Sequence, residues 1–216
     1  EHRNNMKRKI LITGATSGFG RSCATLFAEK GHRLILNGRR KDRLEKLANE
    51  LKDFFGTESF LLPIDVRNQD AITTGIHRLP ENWQKIDILI NNAGLAAGRD
   101  YFEEAKLDDW NEMIDTNIKG FLYVSQAVSK GMANRKKGHI INIGSTAGRV
   151  VYEKGNAYCA TKYAVDALNQ SMRIDLLRHG IKVTAINPGA AETEFSLVRF
   201  KGDQETAASV YNGMKP

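Results

Sequence analysis

Six short apolar runs, separated by longer segments of helical periodicity, leave this chain few architectures to choose from. The runs fall at 9–13, 33–37, 59–63, 86–91, 138–144 and 182–186, and the helical patterns at 20–30, 41–52, 68–78, 110–133 and 157–179. Nearly continuous apolar strands that alternate with helices are joined by crossovers and covered on both sides. The pattern predicts a doubly wound α/β fold, a parallel sheet with helices on both faces. With 216 residues, 41% hydrophobic and 26% charged, the chain suits one core better than two. Residues 1–8 are expected to be a disordered tail and 9–216 a single domain. Gly180 reads as the C-cap of the last helix.

Several function classes lose ground early. No apolar run reaches the roughly eighteen residues of a membrane span, and the stretch EHRNNMKRK lacks the apolar segment of a signal peptide. A soluble, cytoplasmic protein is expected, with no membrane partner. Cys23 and Cys159 lie inside helical patterns without CxxC spacing or a nearby His cluster, so neither a metal site nor a disulfide framework is expected. The net charge of +7 and the run Lys7-Arg8-Lys9 raise the question of nucleic acid. The remaining cations are scattered among acids, however, so the charge reads as solvated helix faces and no nucleic-acid partner is expected.

The first apolar run leads into Gly14-Ala-Thr-Ser-Gly18-Phe-Gly20, which opens directly into a helix. Glycine at 14 permits a tight turn, Gly18 lets backbone approach a pyrophosphate, and Gly20 lets helix and strand pack closely, with the helix N-terminus facing the anion. This is the dinucleotide turn of the Rossmann type, in the spacing TGxxxGxG. Alone it would also serve as a purely structural turn. Its candidate cofactor contacts are Gly14, Thr16, Ser17, Gly18, Phe19 and Gly20.

At the tip of the second run an NAD-binding protein usually carries an acid for the ribose 2′-OH. Here the tip reads Leu36-Asn37-Gly38-Arg39-Arg40. Gly38 stands where the acid belongs, and two guanidiniums follow that are able to fork onto a 2′-phosphate. NADP is therefore the expected cofactor, with Arg39 the principal contact and Arg40 flanking it.

Tyr158 and Lys162 are four apart in a helical pattern and share a face. A neighbouring ammonium and a cationic nicotinamide ring favour the phenolate of such a tyrosine. Ser145, closing the fifth run, would stand at the carboxyl edge of the sheet, where open α/β folds bind ligands. Singly, a YxxxK pair is usually a helix-surface pair and a serine after a strand is often a cap. Their combination points to carbonyl–carbinol chemistry.

With these residues in view, the chain resembles the short-chain dehydrogenase/reductase superfamily in its single-domain form. The resemblance covers TGxxxGxG at 13–20, Asn91-Asn92-Ala93-Gly94, Asn117, Ser145, Tyr158 with Lys162, and Pro188-Gly189 followed by Thr193. It implies that Tyr158 exchanges the proton, Ser145 orients the substrate oxygen, Lys162 binds the nicotinamide ribose and lowers the tyrosine pKa, and Asn117 holds a water linking Lys162 to solvent. It also implies Asp65 and Val66 at the adenine, Asn91, Ala93 and Gly94 along the cofactor, and Pro188, Gly189 and Thr193 at the carboxamide. Family chains run a few dozen residues further, adding a helix and a seventh strand. Their two long helices, here 110–133 and 157–179, pack on a partner's copies, which implies a homodimer or homotetramer.

Arg39-Arg40, the stretch IGSTAGR at 143–149 and TEFSLVRF at 193–200 are similar to the NADP-dependent 3-hydroxy acid dehydrogenases that accept serine and its relatives. A carboxylate substrate needs a cation near Ser145 and Tyr158, and Arg149 and Arg199 are the candidates. The rival expectations are a 3-oxoacyl thioester or general carbonyl reductase and, from another class, a non-catalytic NADP-binding sensor. The intact Ser145, Tyr158 and Lys162 set speaks against the last.

Overall fold

The computed structural model describes residues 7–189 and 199–204. Six strands, β1 (Lys9–Ile12), β2 (Arg33–Asn37), β3 (Ser59–Leu62), β4 (Ile88–Asn91), β5 (His139–Ile143) and β6 (Lys182–Ile186), form one sheet in the order β3-β2-β1-β4-β5-β6. Every neighbouring pair is parallel. The chain moves outward from β1 to β3, then crosses back to place β4 on the other side of β1. That reversal opens a crevice at the carboxyl ends of β1 and β4, where ligands of open α/β sheets bind.

The helices are α1 (Gly18–Glu29), α2 (Lys41–Phe55), α3 (Gln69–His77), α4 (Glu81–Gln84), α5 (Leu107–Ile114), α6 (Phe121–Arg135) and α7 (Asn156–Leu177). Alternate strand residues serve opposite faces of the sheet. Ile10, Ile12, Leu34 and Leu36 pack with Ala24, Ala28 and Leu44 from α1 and α2. Leu11, Ile35, Leu89 and Ile140 pack on the other side with Ile72 of α3 and with Val124, Val128 and Met132 of α6. Two dry layers thus hold the sheet, as the doubly wound pattern requires.

The elements follow the expected order, with instructive differences. The helix expected over 110–133 is three pieces: α5, a π-helical turn over Asp115–Gly120, and α6. Such a turn is a short i→i+5 widening inside a continuous helix and has no residue signature of its own, which is why the sequence pattern missed it. α2 runs three residues beyond its expected end and stops at Gly56, whose left-handed φ of +64° closes it. α7 ends at Leu177, and Gly180 (φ +66°) turns the chain toward β6 three residues later. α4 is a single turn that no long-range pattern announced.

Among the described residues no helix is long and apolar enough to cross a membrane, and no cluster of three or more His, Cys, Asp or Glu is placed to hold a metal ion. The expected tail at 1–8 lies largely outside the described residues.

Candidate active site

The glycine turn after β1 fits an anion. Gly14 and Gly18 both have positive φ, +61° and +49°, so side chains there would be strained. Gly20 lies against the Gly14 carbonyl and the Asn92 amide so closely that a Cβ has no room. Ser17 precedes α1 in extended conformation and makes no side-chain cap bond, and the first turn carries no acid. The helix opens with N–H groups left for a ligand. Thr16 and Phe19 lie on the same turn, and Ala15 N–H donates to the Asn37 carbonyl (2.9 Å), which ties the turn to β2.

Asn92 fixes the turn from the other side. Its Nδ2 donates to the carbonyls of Thr13 (3.0 Å) and Gly14 (3.1 Å), while its N–H and that of Ala93 donate to Thr13 Oγ1. The sequence reading treated Asn92 only as part of a motif. The side chain of Asn91, expected along the cofactor, points instead into the sheet's α6 face, where Nδ2 donates to Ser125 Oγ (2.8 Å) and Asn142 Oδ1 (3.0 Å). Only its backbone is left to line the crevice.

At the tip of β2, Gly38 is buried and Arg39 and Arg40 are exposed, Arg40 at the N-cap position of α2. No acid stands among them. Across the tip, burial would raise the Asp65 carboxyl, but hydrogen bonds from Arg67 and the charges of Arg67 and Arg39 hold it below its ordinary value. Arg39 is therefore near enough for its field to reach Asp65. Val66 is buried beside Gly120 of the π-helical turn.

Ser145 follows β5 in extended conformation and precedes a 3-10 turn over Thr146–Gly148; its Oγ accepts from Ala147 N–H (3.1 Å). It is hydrogen-bonded to Tyr158 as well. Tyr158 and Lys162, 9% and 8% exposed, lie one turn apart on α7, as their spacing demanded. Lys162 Nζ donates to the Ile143 carbonyl (3.3 Å) and sits 5.9 Å from the Tyr158 ring centroid. Asn117, in the π-helical turn, is held from both ends. Its Oδ1 accepts from Leu95 N–H, and its Nδ2 donates to the Leu95 carbonyl and to Thr161 Oγ1 on α7. A side chain on Gly94 would meet Asn117 Oδ1 at 3.2 Å and Lys162 Nζ at 3.6 Å, so these groups converge on one spot.

Burial pushes the Tyr158 phenol up to about 12, against the downward pull of the Ser145 hydrogen bond and the Arg199 guanidinium. Desolvation is the largest of these influences, so the net shift of the phenol is upward. Burial also brings the Lys162 ammonium down to about 8. At neutral pH the tyrosine keeps its proton and the lysine most of its charge. This is the state a proton donor to a carbonyl oxygen requires.

The two arginine candidates part company. Arg149 is ion-paired with Asp166 (2.7 Å) and its side chain is largely solvent-exposed. Arg199 is 7% exposed, its Nε donates to the Gly98 carbonyl (3.0 Å), and its guanidinium carbon lies 5.8 Å from the Tyr158 ring and 6.0 Å from that of Tyr152. Among the described residues no carboxylate pairs with it. Tyr152, whose hydroxyl contacts Arg199 at 3.4 Å, went unnoticed in the sequence. The Pro188 carbonyl accepts from Thr146 N–H (3.0 Å), which places Pro188 and Gly189 next to Ser145. Thr193 lies outside the described residues.

A six-stranded parallel sheet with a glycine turn at its switch point and a Ser–Tyr–Lys set on its carboxyl edge defines a dinucleotide-dependent dehydrogenase architecture. The sequence matches the short chain dehydrogenase model over residues 8–203, and the chain belongs to that family. It is 48% identical over 203 residues to an NADP-dependent 3-hydroxy acid dehydrogenase, YdfG, of Salmonella typhi, covering 94% of this chain and 80% of that one. With sulfoacetaldehyde reductase 2 of Chromohalobacter salexigens it shares 43% identity over 208 residues, 96% of this chain and 82% of the relative. Among solved structures, the closed form of a serine dehydrogenase complexed with NADP+ superposes with a TM-score of 0.90 at 47% identity, covering 96% of this chain and 82% of that one.

Proposed function

We propose that this chain is an NADP(H)-dependent oxidoreductase interconverting a secondary alcohol and its carbonyl, with a 3-hydroxy acid such as serine or a relative as substrate. The observation that carries the reading is the buried Tyr158 phenol. It is hydrogen-bonded to Ser145 and has the Lys162 ammonium and the Arg199 guanidinium, with which no carboxylate among the described residues pairs, each within about one side-chain length of its ring. The relatives act on substrates of this kind by name, which supports the same choice.

The residues fit the cofactor: an uncapped helix N-terminus, a turn without space for side chains, and cations without an acid at the β2 tip. Gly14, Thr16, Ser17, Gly18, Phe19 and Gly20 would hold the pyrophosphate, and Arg39 with Arg40 the 2′-phosphate. Asp65 and Val66 would border the adenine, and the backbone from Asn91 through Ala93 to Gly94 the adjoining ribose. Pro188, Gly189 and Thr193 would hold the carboxamide. When bound, the nicotinamide supplies or takes up the hydride. In reduction Tyr158 Oη gives its proton to the carbonyl oxygen, Ser145 Oγ hydrogen-bonds that oxygen, and Lys162 binds the ribose and supplies positive charge as the phenolate forms. Asn117 fixes the loop at Leu95 and would hold a water that links Lys162 to solvent. Arg199 rather than Arg149 takes the substrate carboxylate, because Arg149 is already neutralised by Asp166.

The assay is NADP+ reduction with serine, the threonine isomers, 3-hydroxyisobutyrate and alcohols lacking the carboxylate. Arg199→Met is expected to lower the acid-over-alcohol ratio of kcat/KM about tenfold to a hundredfold, while Arg149→Met leaves it within about twofold. A wild-type preference for uncharged alcohols would overturn the hydroxy-acid reading in favour of a general carbonyl or 3-oxoacyl thioester reductase. NADPH binding without any turnover would favour the sensor.

We further infer a homodimer or homotetramer in the cytoplasm. Exposed Leu107, Ile114 and Leu122 near the π-helical turn, with Tyr163, Ile174 and Leu177 on α7, offer apolar surface for a second copy. The unpaired Cys23 and Cys159 suit a reducing compartment. Light scattering at micromolar concentration reads the oligomer directly.

A further inference from the structure

The carboxyl ends of β4 and β5 carry an asparagine each on the same face, Asn91 and Asn142, directly paired in register. The other residues of β4 and β5 on that face are the aliphatic Leu89 and Ile140. Asn142 is fully buried, and both ends of its side-chain amide bond to other amides. Its Oδ1 accepts from Asn91 Nδ2 (3.0 Å) and its Nδ2 donates to Asn169 Oδ1 (2.9 Å). Asn169 is 5% exposed and lies on α7. A row of three amides, anchored at the Ser125 hydroxyl on α6, thus crosses β4 and β5 and ends on the helix that bears Tyr158 and Lys162.

Asn169 follows Lys162 by seven residues, two turns along the same face of α7. Lys162 itself donates to Ile143, the residue next to Asn142. Two directional bonds from neighbouring residues of β5 therefore meet one stripe of α7. On the same stripe Thr161 Oγ1 accepts from Asn117 Nδ2 (3.0 Å) and ties α7 to the π-helical turn, while Cys159 and Val165 are apolar, and apolar contacts tolerate sliding. Hydrogen bonds weaken steeply with misalignment and so fix where the helix stands along the strand. Packing alone would be served as well by two aliphatic side chains, since replacing both partners of a buried hydrogen bond by apolar groups is nearly neutral.

We propose that Asn142 and Asn169 are a positioning pair that sets the register of α7 on β5 and thereby holds Tyr158 and Lys162 against Ser145; this rests on the function proposed above. Neither residue touches the reacting atoms. They act through the position of the phenol, which also faces Ser145, Tyr152, Cys159 and Arg199.

The test compares Asn142→Val/Asn169→Leu, Asn169→Leu and Asn169→Asp in the full chain with NADPH and a 3-oxo acid. Thermal melting, NADPH affinity and the pH profile of kcat are read for each. The double variant leaves one Asn91 Nδ2 hydrogen without its acceptor, so it is expected to melt about 2–12 °C below wild type while still folding and binding NADPH within about threefold, and kcat falls about tenfold to a hundredfold, the cost of misplacing a catalytic group by about 1 Å. The limb of its pH profile that reports Tyr158 moves, because the charges around the phenol are re-aimed. Asn169→Asp keeps an acceptor oxygen for the Asn142 amide and is expected to retain kcat within about threefold, whereas Asn169→Leu loses it. Wild-type kcat and pH limb in the double variant would overturn the proposal. So would a double variant that does not fold, since the pair would then hold the fold itself, and so would an Asn169→Asp variant as impaired as Asn169→Leu. If Tyr158→Phe retained turnover, the functional reading would fail first; a dead Tyr158→Phe beside an unaffected double variant would sink the positioning role alone.

Discussion

Lys162→Met should stabilise the protein while abolishing its turnover. The ammonium is held at about 8 in the folded chain against 10.5 for an ordinary lysine, the cause being burial. At about 1.4 kcal/mol for each factor of ten, burying this charge costs the folded state about 3 kcal/mol at neutral pH. The bond to the Ile143 carbonyl returns on the order of 1 kcal/mol, so methionine, which keeps the apolar stem, should gain about 2 kcal/mol. For a chain of this size that is roughly 4–8 °C in Tm. The sign with pH follows from proton counts. Between about 8 and 10.5 the unfolded lysine binds a proton that the folded one has lost, so wild-type stability rises with pH across that window and the methionine advantage shrinks. Thermal melts of both proteins at neutral pH and at about pH 10, in the absence of cofactor, read both effects. A methionine variant less stable than wild type at neutral pH, or a difference that does not change with pH, would refute the reasoning that Lys162 is a strained buried cation.

Tyr158→Phe should bind NADPH as tightly as wild type, by fluorescence titration, and lose turnover, because the ring still packs while the proton donor is gone. Arg39→Ala should weaken NADPH by about 1.5–3 kcal/mol, the range for a hydrogen bond to a charged group, and leave NADH nearly unchanged; an equal loss for both would show that Arg39 does not read the 2′-phosphate.

What the sequence made legible is what depends on neighbours along the chain. The glycine turn, the Tyr158–Lys162 spacing and the Gly38-Arg39-Arg40 tip are each set within a few residues, and the structure places them as their spacing requires. What stayed hidden depends on partners far away in sequence. Arg149 and Arg199 look alike on paper, and only the fold brings Asp166 to the first and the Tyr152 and Tyr158 rings to the second. Asn142 sits in Ile-Ile-Asn-Ile, where an amide inside an apolar run was a visible anomaly, but nothing local names Asn91 and Asn169 as its partners. The π-helical turn escaped for a different reason: it is a local i→i+5 widening inside an otherwise continuous helix, and no residue type around Asn117 announces it.

Burial moves the two ionisable groups of the site in opposite numerical directions for one reason, since desolvation favours the uncharged form of each. For Tyr158 the uncharged form is the protonated phenol, which is what carbonyl reduction consumes. For Lys162 it is the amine, which is of no use as a counter-charge. The balance therefore depends on how deep the lysine goes. At about 8 it keeps most of its charge at neutral pH, and an appreciably deeper position would silence it. The Ile143 carbonyl, accepting from Nζ at the end of β5, favours the ammonium there. It follows that the register between α7 and β5 governs both the aim of the phenol and the charge beside it, so that a shift of the helix along the strand disturbs acid and cation together.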